Sequence, residues 1–362
     1  MRLLPSRQRP MQREYFIYKY YMKKASILIV YTGGTIGMRR DENGTLVPFD
    51  FTTIEQEIPA VRNLNVDIDV HKMSPIDSSN VTPSRWAELA KVLADNYSRY
   101  DGFVVLHGTD TMSYTASALS FMLENNSKPV VFTGSQIPMG ILRTDGRENL
   151  VTAIEIAAAK DEQGRARVPE VALYFQNRLF RANRTSKYSA EALSAFASRN
   201  MAPLAEVGVN IVYNDMLIHR EEGDAPLRIS DKLDNNVIVL KLFPGISEHT
   251  LRQMLAVEGL RGVILETFGT GNAPTTDWFI EALKDAIDRG VVVVNITQCQ
   301  SGAVEMGLYE TGKGLQGIGV VSGYDMTTEA AVTKLMWLLG QEVEQSVVAE
   351  EMSRSLRGEL SR

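Results

Sequence analysis

From Ser26 onward the chain keeps returning to one pattern, and that pattern limits the folds open to it. A short apolar run, rich in Val and Ile, ends in a loop of glycine and hydroxyl residues, and a helix-like segment follows. SILIVY (26–31) is the first such run and leads into TGGTIG (32–37); GFVVLHGTD, PVVFTGS, VALYFQN, NVIVLKLF, GVILETF and VVVVNIT repeat the theme. Uninterrupted β-branched runs of this length suit strands covered on both faces, the signature of a parallel sheet. VDIDVH alternates instead, as a half-covered strand does. Between the runs, TPSRWAELAKVLADNY places Trp86, Leu89, Ala90, Leu93 and Tyr97 on one helical face. Thr82 is its candidate N-cap and Pro83 its first helical residue. Helices are also expected near 112–124, 147–160, 247–259, 276–290, 327–339 and 342–357. Alternating β and α elements predict an α/β fold with parallel sheets covered by helices.

The rhythm breaks once, over NDMLIHREEGDAPLRISDKLDN (214–235), a polar stretch with Gly, Pro and mixed charge. Two α/β domains follow: a larger N-terminal catalytic domain at 25–213 and a smaller C-terminal domain at 236–362, with 214–235 as linker. Residues 1–24 are basic and aromatic, hold Met11 and Met22 as further methionines, and lack the apolar core of a secretory signal. They read as a disordered arm or an upstream start. No run reaches the about 18 apolar residues that a membrane span needs. A net charge of −6 argues against nucleic acid as the main partner. The single cysteine, Cys299, has no intrachain partner, which favours a reducing, cytoplasmic setting. It is expected to be a small buried apolar residue.

Ligands of open α/β sheets sit beyond the carboxyl ends of the strands. In the first half that rule selects TGGTIG (32–37), SPIDSSN (74–80), HGTDT (107–111) and TGSQ (133–136), all rich in hydroxyls and glycine. TGGTIG is neither a dinucleotide fingerprint, since Thr32 takes the place of the first glycine, nor a phosphate loop, which needs Lys followed by Ser or Thr. The stretch Gly307 to Lys313 spells G-x-x-x-x-G-K but continues with Gly314, so the magnesium hydroxyl is missing. His71, His107, His219 and His249 form no i,i+4 pair, so no metal is expected. Ser135 in TGSQI does not fit a nucleophile elbow. What survives is hydroxyl nucleophilic catalysis without histidine. Thr109 stands beside Asp110, and a lysine from a distant loop could complete a proton relay. Asp110 also stands where a helix begins, so N-capping is a second reading.

At these loops the chain closely resembles the L-asparaginase family, its cytoplasmic bacterial type I branch in particular. The resembling segments are YTGGTIGM (31–38), DSSNVTP (77–83), LHGTDTMSYTASALSFMLEN (106–125), TGSQIP (133–138), NRTSK (183–187), PGIS (244–247), GTGNAP (269–274) and NITQCQSG (295–302). They run from about Ala25 towards the C-terminus. The resemblance implies hydrolysis of L-asparagine, and more weakly L-glutamine, to the acid and ammonia, with no cofactor. Thr35 would be the primary nucleophile, and Thr109, Asp110 and Lys187 the second catalytic group. Ser78 and Asp110 would hold the substrate's α-carboxylate and α-amino groups, with Gly34 and Ser79 lining the pocket. Asn272 would reach the site from another subunit of a homo-oligomer, dimer or tetramer. The loop after TGGTIG would be a lid, with Thr45 where relatives carry a tyrosine, and Glu266 stands where close relatives place a basic residue. Two alternatives remain: the amidase subunit of a tRNA-dependent amidotransferase, which would carry a further N-terminal domain, and a non-catalytic amino-acid sensor.

Overall fold

The computed structural model describes residues 24–40, 46–48, 58–221, 223, 225–307 and 310–362. The first sheet contains β1 (Ala25–Tyr31), β2 (Val66–Lys72), β3 (Gly102–Leu106), β4 (Val130–Thr133), β5 (Val171–Phe175), β6 (Arg178–Arg181), β7 (Ala205–Val207) and β8 (Ile211–Tyr213). Its spatial order is β8-β7-β6-β5-β4-β3-β1-β2. The five strands from β2 to β5 are mutually parallel. The three beyond β5 run antiparallel to their neighbours. This antiparallel extension was not legible beforehand, because β7 and β8 are three residues each, too short to show a period.

The second sheet, β9 (Val237–Lys241), β10 (Gly262–Thr267), β11 (Val292–Thr297) and β12 (Val321–Ser322), is parallel throughout and keeps chain order. The helices are α1 (Pro83–Asn96), α2 (Met112–Met122), α3 (Gly146–Ala158), α4 (Glu248–Leu255), α5 (Asp277–Asp288), α6 (Glu310–Gly317), α7 (Thr328–Gly340) and α8 (Gln345–Met352). The chain is thus an α/β protein with two mostly parallel sheets, as the alternation predicts. Helix α6 was not foreseen. The polar stretch 214–235 is less idle than its composition implies, since Arg228–Ile229 pairs with Leu123–Glu124 after α2.

Period-two burial builds the layers. Leu28, Val30, Phe103 and Val105 face a core shared with Trp86 and Leu89 of α1 and Met112, Ala116 and Leu119 of α2. Ile27, Ile29, Tyr31, Val104 and Leu106 face the opposite core, shared with Leu150, Ala153 and Ile154 of α3. Consequently β3–α2–β4 and β4–α3–β5 step the same way across the sheet over opposite faces. Two such crossovers have opposite hand, and one of them is an exception to a rule that holds in about 98% of cases. In the second sheet α4, α5 and α6 share one face through Leu251, Leu283 and Leu315. Helices α7 and α8 cover the other through Leu335, Leu338 and Val348. The halves meet where α7 lies on α2, with Phe121 stacked on Trp337 at 6.1 Å.

Candidate active site

Strand β1 lies between β2 and β3, so the order reverses beside it. A crevice at such a reversal, outside the carboxyl ends of the strands, is where open α/β sheets bind ligands. β1 empties into TGGTIG and β3 into HGTDT. Thr32 ties the two ends together, its N–H and its hydroxyl both donating to the Leu106 carbonyl, at 3.0 and 2.9 Å.

Glycine is required where these loops touch. Gly33 has φ 127°, and a Cβ there would stand 2.2 Å from the Ile76 carbonyl oxygen. Gly34 has φ 88°, and its Cβ would stand 2.5 Å from the Gly108 backbone. Only a residue without a side chain allows both the left-handed backbone and the approach. Thr35 therefore opens a single 3₁₀ turn, Thr35–Gly37, directly beside the HGTDT loop, partly exposed to solvent. A third loop closes in through Ser78, which is buried. Its carbonyl accepts from the Thr111 hydroxyl at 2.7 Å. Ser79 is exposed, its N–H and hydroxyl both donating to Asp77 at 2.8 and 2.7 Å. These bonds hold the Asp77 carboxyl below its ordinary range.

The distant lysine arrives as the chemistry requires. Lys187 Nζ donates to Thr109 Oγ1 at 2.9 Å and to Asp110 Oδ1 at 2.6 Å, across more than seventy residues of chain. Lys187 is largely covered, while the Asp110 carboxylate stays mostly open to solvent. Asp110 is not a helix cap: the N-cap of α2 is Thr111, and no side-chain cap bond forms. Thr82 likewise precedes α1 without a side-chain cap bond.

Gln136 is a member of the cluster that residue-by-residue reading missed, although its loop, TGSQ, was singled out. Its Nε2 donates to the Ala190 and Ala192 carbonyls, both at 3.2 Å, which turns Oε1 towards Thr109. Thr109 donates to that oxygen at 3.1 Å. Thr109 Oγ1 is thus held on its donor side by Gln136 and on its acceptor side by Lys187. His107 was also missed. It is buried, and desolvation lowers its pKa to about 4, so the ring is neutral. Trp86 Nε1 donates to Thr115 Oγ1, Thr115 pairs with His107 Nε2, and His107 Nδ1 pairs with the Gly108 carbonyl, at 3.0, 3.0 and 2.8 Å. This sequence of donors fits the Nδ1–H tautomer. Its neighbour Gly108 is the residue that Gly34 touches.

Other sequence readings fare differently. Asn272 lies at the carboxyl end of the second sheet, its backbone bridged to Phe268. The loops of Thr35 and Thr109 belong to the first sheet. Glu266 is buried, accepting from the Thr328 hydroxyl at 2.6 Å and pairing with Lys241 at 3.4 Å. Cys299 is exposed, which corrects the expectation of a buried apolar residue. It follows the end of β11 at Thr297, where the backbone has left the sheet. Thr45 lies outside the described residues. Among the described residues no group of three His, Cys, Asp or Glu side chains could hold a metal, and no helix is long and apolar enough to cross a membrane.

Fold and loops together define an α/β architecture with hydroxyl-rich loops gathered beside a strand-order reversal. The model for "Asparaginase, N-terminal" matches residues 26–219, and that for "Glutaminase/Asparaginase C-terminal domain" matches 236–352. The chain belongs to the asparaginase family. It is 44% identical over 347 residues to L-asparaginase 1 of Escherichia coli K12, covering 94% of this chain and 99% of that one. It is 42% identical over 360 residues to the human 60 kDa lysophospholipase, covering 92% of this chain and 61% of that protein. Among solved structures, L-asparaginase I from Vibrio cholerae matches with a TM-score of 0.84 at 41% identity, covering 94% of this chain and 100% of the other.

Proposed function

We propose that this chain hydrolyses L-asparagine to L-aspartate and ammonia through an ester on Thr35, without a cofactor. The observation that carries this reading is the Lys187 ammonium bridging Thr109 Oγ1 and Asp110 Oδ1, in contact range of the loop that presents Thr35. Thr35 Oγ attacks the side-chain amide carbon, forming a C–O bond as its proton passes to a base. The carbonyl electron pair moves to oxygen, where backbone N–H groups of the glycine-rich loops stabilise it. Collapse breaks the C–N bond as the Lys187 ammonium passes a proton through the Thr109 hydroxyl to the nitrogen, which departs as ammonia and leaves Lys187 neutral. Water then attacks the ester, giving its proton to Lys187 in the neutral form through the Thr109 hydroxyl. The C–O bond to Thr35 breaks and the hydroxyl is restored.

Asp110 serves Lys187 as counter-ion and, with Ser78, receives the substrate's α-amino and α-carboxylate groups; Gly34 and Ser79 line the pocket. Asn272 closes the site from a second copy in a homo-oligomer. The exposed thiol of Cys299 suits a reducing, cytoplasmic compartment. Ammonia release from L-asparagine, L-glutamine and D-asparagine by the purified protein tests the reading. L-Asparagine is expected to lead L-glutamine by about 10- to 200-fold in kcat/KM, because one methylene misplaces the carbonyl. No ammonia above background from L-asparagine would end the proposal.

A further inference from the structure

Three consecutive carbonyls near the C-terminus are claimed by three side chains of one short segment. Asn183 Nδ2 donates to the Arg357 carbonyl at 3.1 Å, an Arg181 guanidinium nitrogen to Gly358 at 3.4 Å, and Arg184 to Glu359 at 2.8 Å. Arg184 is buried and forks onto both oxygens of Asp325 at 2.8 and 2.7 Å, and Ser361 N–H closes the ring onto the same carboxylate at 2.7 Å. The tail is fixed from below by an ion pair of Lys334 with Glu359 at 2.6 Å, both side chains fully covered. The Glu359 carboxylate also accepts from the N–H groups of Leu356 and Arg357. Gly358 has φ 72°, and a Cβ there would meet the Arg181 guanidinium at 2.2 Å. The tail follows the last residue matched by the C-terminal family model.

The segment so gripped, 181–184, leads straight to Lys187. Thr185 donates to the Arg181 carbonyl at 2.7 Å, and Ser186 Oγ donates to Glu329 of α7 at 2.8 Å. Lys187 is then set by a two-residue strand paired with Phe196–Ala197. A buried fork such as Arg184–Asp325 is costly to desolvate and fixes orientation more than it adds stability.

We propose that residues 356–361 form a strap, with Arg184 and Asp325 as positioning residues, that aims Lys187 at Thr109 and Asp110. The catalytic part of this inference rests on the hydrolase reading above; the positional part does not. The test is carried out on the full chain with Gly358→Ala and, in case that variant fails to fold, Asp325→Asn. Three quantities are read: kcat and KM for L-asparagine, thermal unfolding, and amine-reactive labelling of Lys187 against exposed Lys284 by peptide mass spectrometry. The expected result is kcat lowered at least tenfold with KM within about threefold, and Lys187 labelled several-fold faster while Lys284 is unchanged. Unchanged Lys187 labelling in a folded variant overturns the strap, whatever the activity does. Full turnover in Lys187→Met would overturn the catalytic reading alone, because Lys187 labelling in Gly358→Ala and Asp325→Asn would still report the strap.

Discussion

Two mostly parallel sheets in this chain obey the same packing rules, and only one of them reverses its strand order. In the first, the order turns back beside β1 and successive helices change faces. The loops leaving β1 and β3 therefore meet beside that reversal, where glycines let them touch. In the second, β9 to β12 follow chain order with α4, α5 and α6 on one face. No reversal occurs there, yet its strand ends at Lys241, Glu266 and Thr297 line a cavity of about 260 Å³ together with Arg184 and Lys187. Its residues enter the first sheet's business from outside: Asp325 grips Arg184, and Glu329 accepts from Ser186. The sheet with a reversal presents the Thr35 and Thr109 loops, and the sheet without one braces the segment before Lys187.

The largest expected effect tests that division. Thr35→Ala, Thr109→Ala and Lys187→Met should each lower kcat by about 10²- to 10⁴-fold or more, since in the proposed reaction each removes a group that moves a proton or forms a bond. Because such groups act as a unit, Thr35→Ala/Thr109→Ala should be little worse than the worse single variant. Asn272→Ala probes the second sheet. If Asn272 serves a neighbouring copy's crevice, mixing inactive Thr35→Ala with Asn272→Ala subunits restores part of the activity through hybrid sites. Recovery should follow refolding of the mixture and be absent when the proteins are mixed without exchange. A fully active monomer in sedimentation would dissolve the shared site.

The same division explains what could be read from residues alone. Strand runs such as GFVVL and helix faces such as that of Trp86, Leu89 and Leu93 carry their burial in their period, and all are buried as expected. The stop after α5 was visible in Gly290, which adopts φ 95°. The crossover of unusual hand was not visible, because nothing local records which face a helix will cover. Thr109, Asp110 and Lys187 were legible through their motifs, and the structure places them within hydrogen-bond reach. Gln136 and His107 were not singled out as site residues, since their importance lies in partners such as Ala190 and Trp86 that are distant in sequence. The Arg184 grip escaped for the same reason, its acceptors lying more than 140 residues away. Motifs announce chemistry; supports are tertiary.

Glycine substitutions sharpen the contrast at intermediate size. Gly34 and Gly290 both have positive φ, at 88° and 95°. At Gly34 an added Cβ meets backbone at 2.5 Å, whereas at Gly290 nothing lies within 4 Å. Gly290→Ala should cost about 1–2 kcal/mol, the conformational penalty alone. Gly34→Ala adds roughly 1–3 kcal/mol of overpacking against backbone that cannot yield cheaply, and pries the Thr35 loop from Gly108. Urea unfolding should separate the two variants, and only Gly34→Ala should lose most of its turnover. Equal destabilisation would mean that the crevice loops are slack, contrary to the close approach.

The smallest effect is an acid response located in the first sheet. An unfolded histidine takes up its proton near pH 6.5, whereas burial lowers the pKa of folded His107 to about 4. Between those values the unfolded chain holds more protons, so falling pH favours unfolding; above about pH 6.5 the group contributes nothing to the pH dependence. The slope from this one group is at most about 1.4 kcal/mol per pH unit. His107→Gln removes the titration while keeping an amide donor and an acceptor for Gly108 and Thr115. It should therefore lose some stability at pH 7.5 and show a shallower decline from pH 6.5 to 5 than the parent. Urea midpoints across that range measure the difference. If His107→Gln declines as steeply as the parent, the acid sensitivity belongs to other groups.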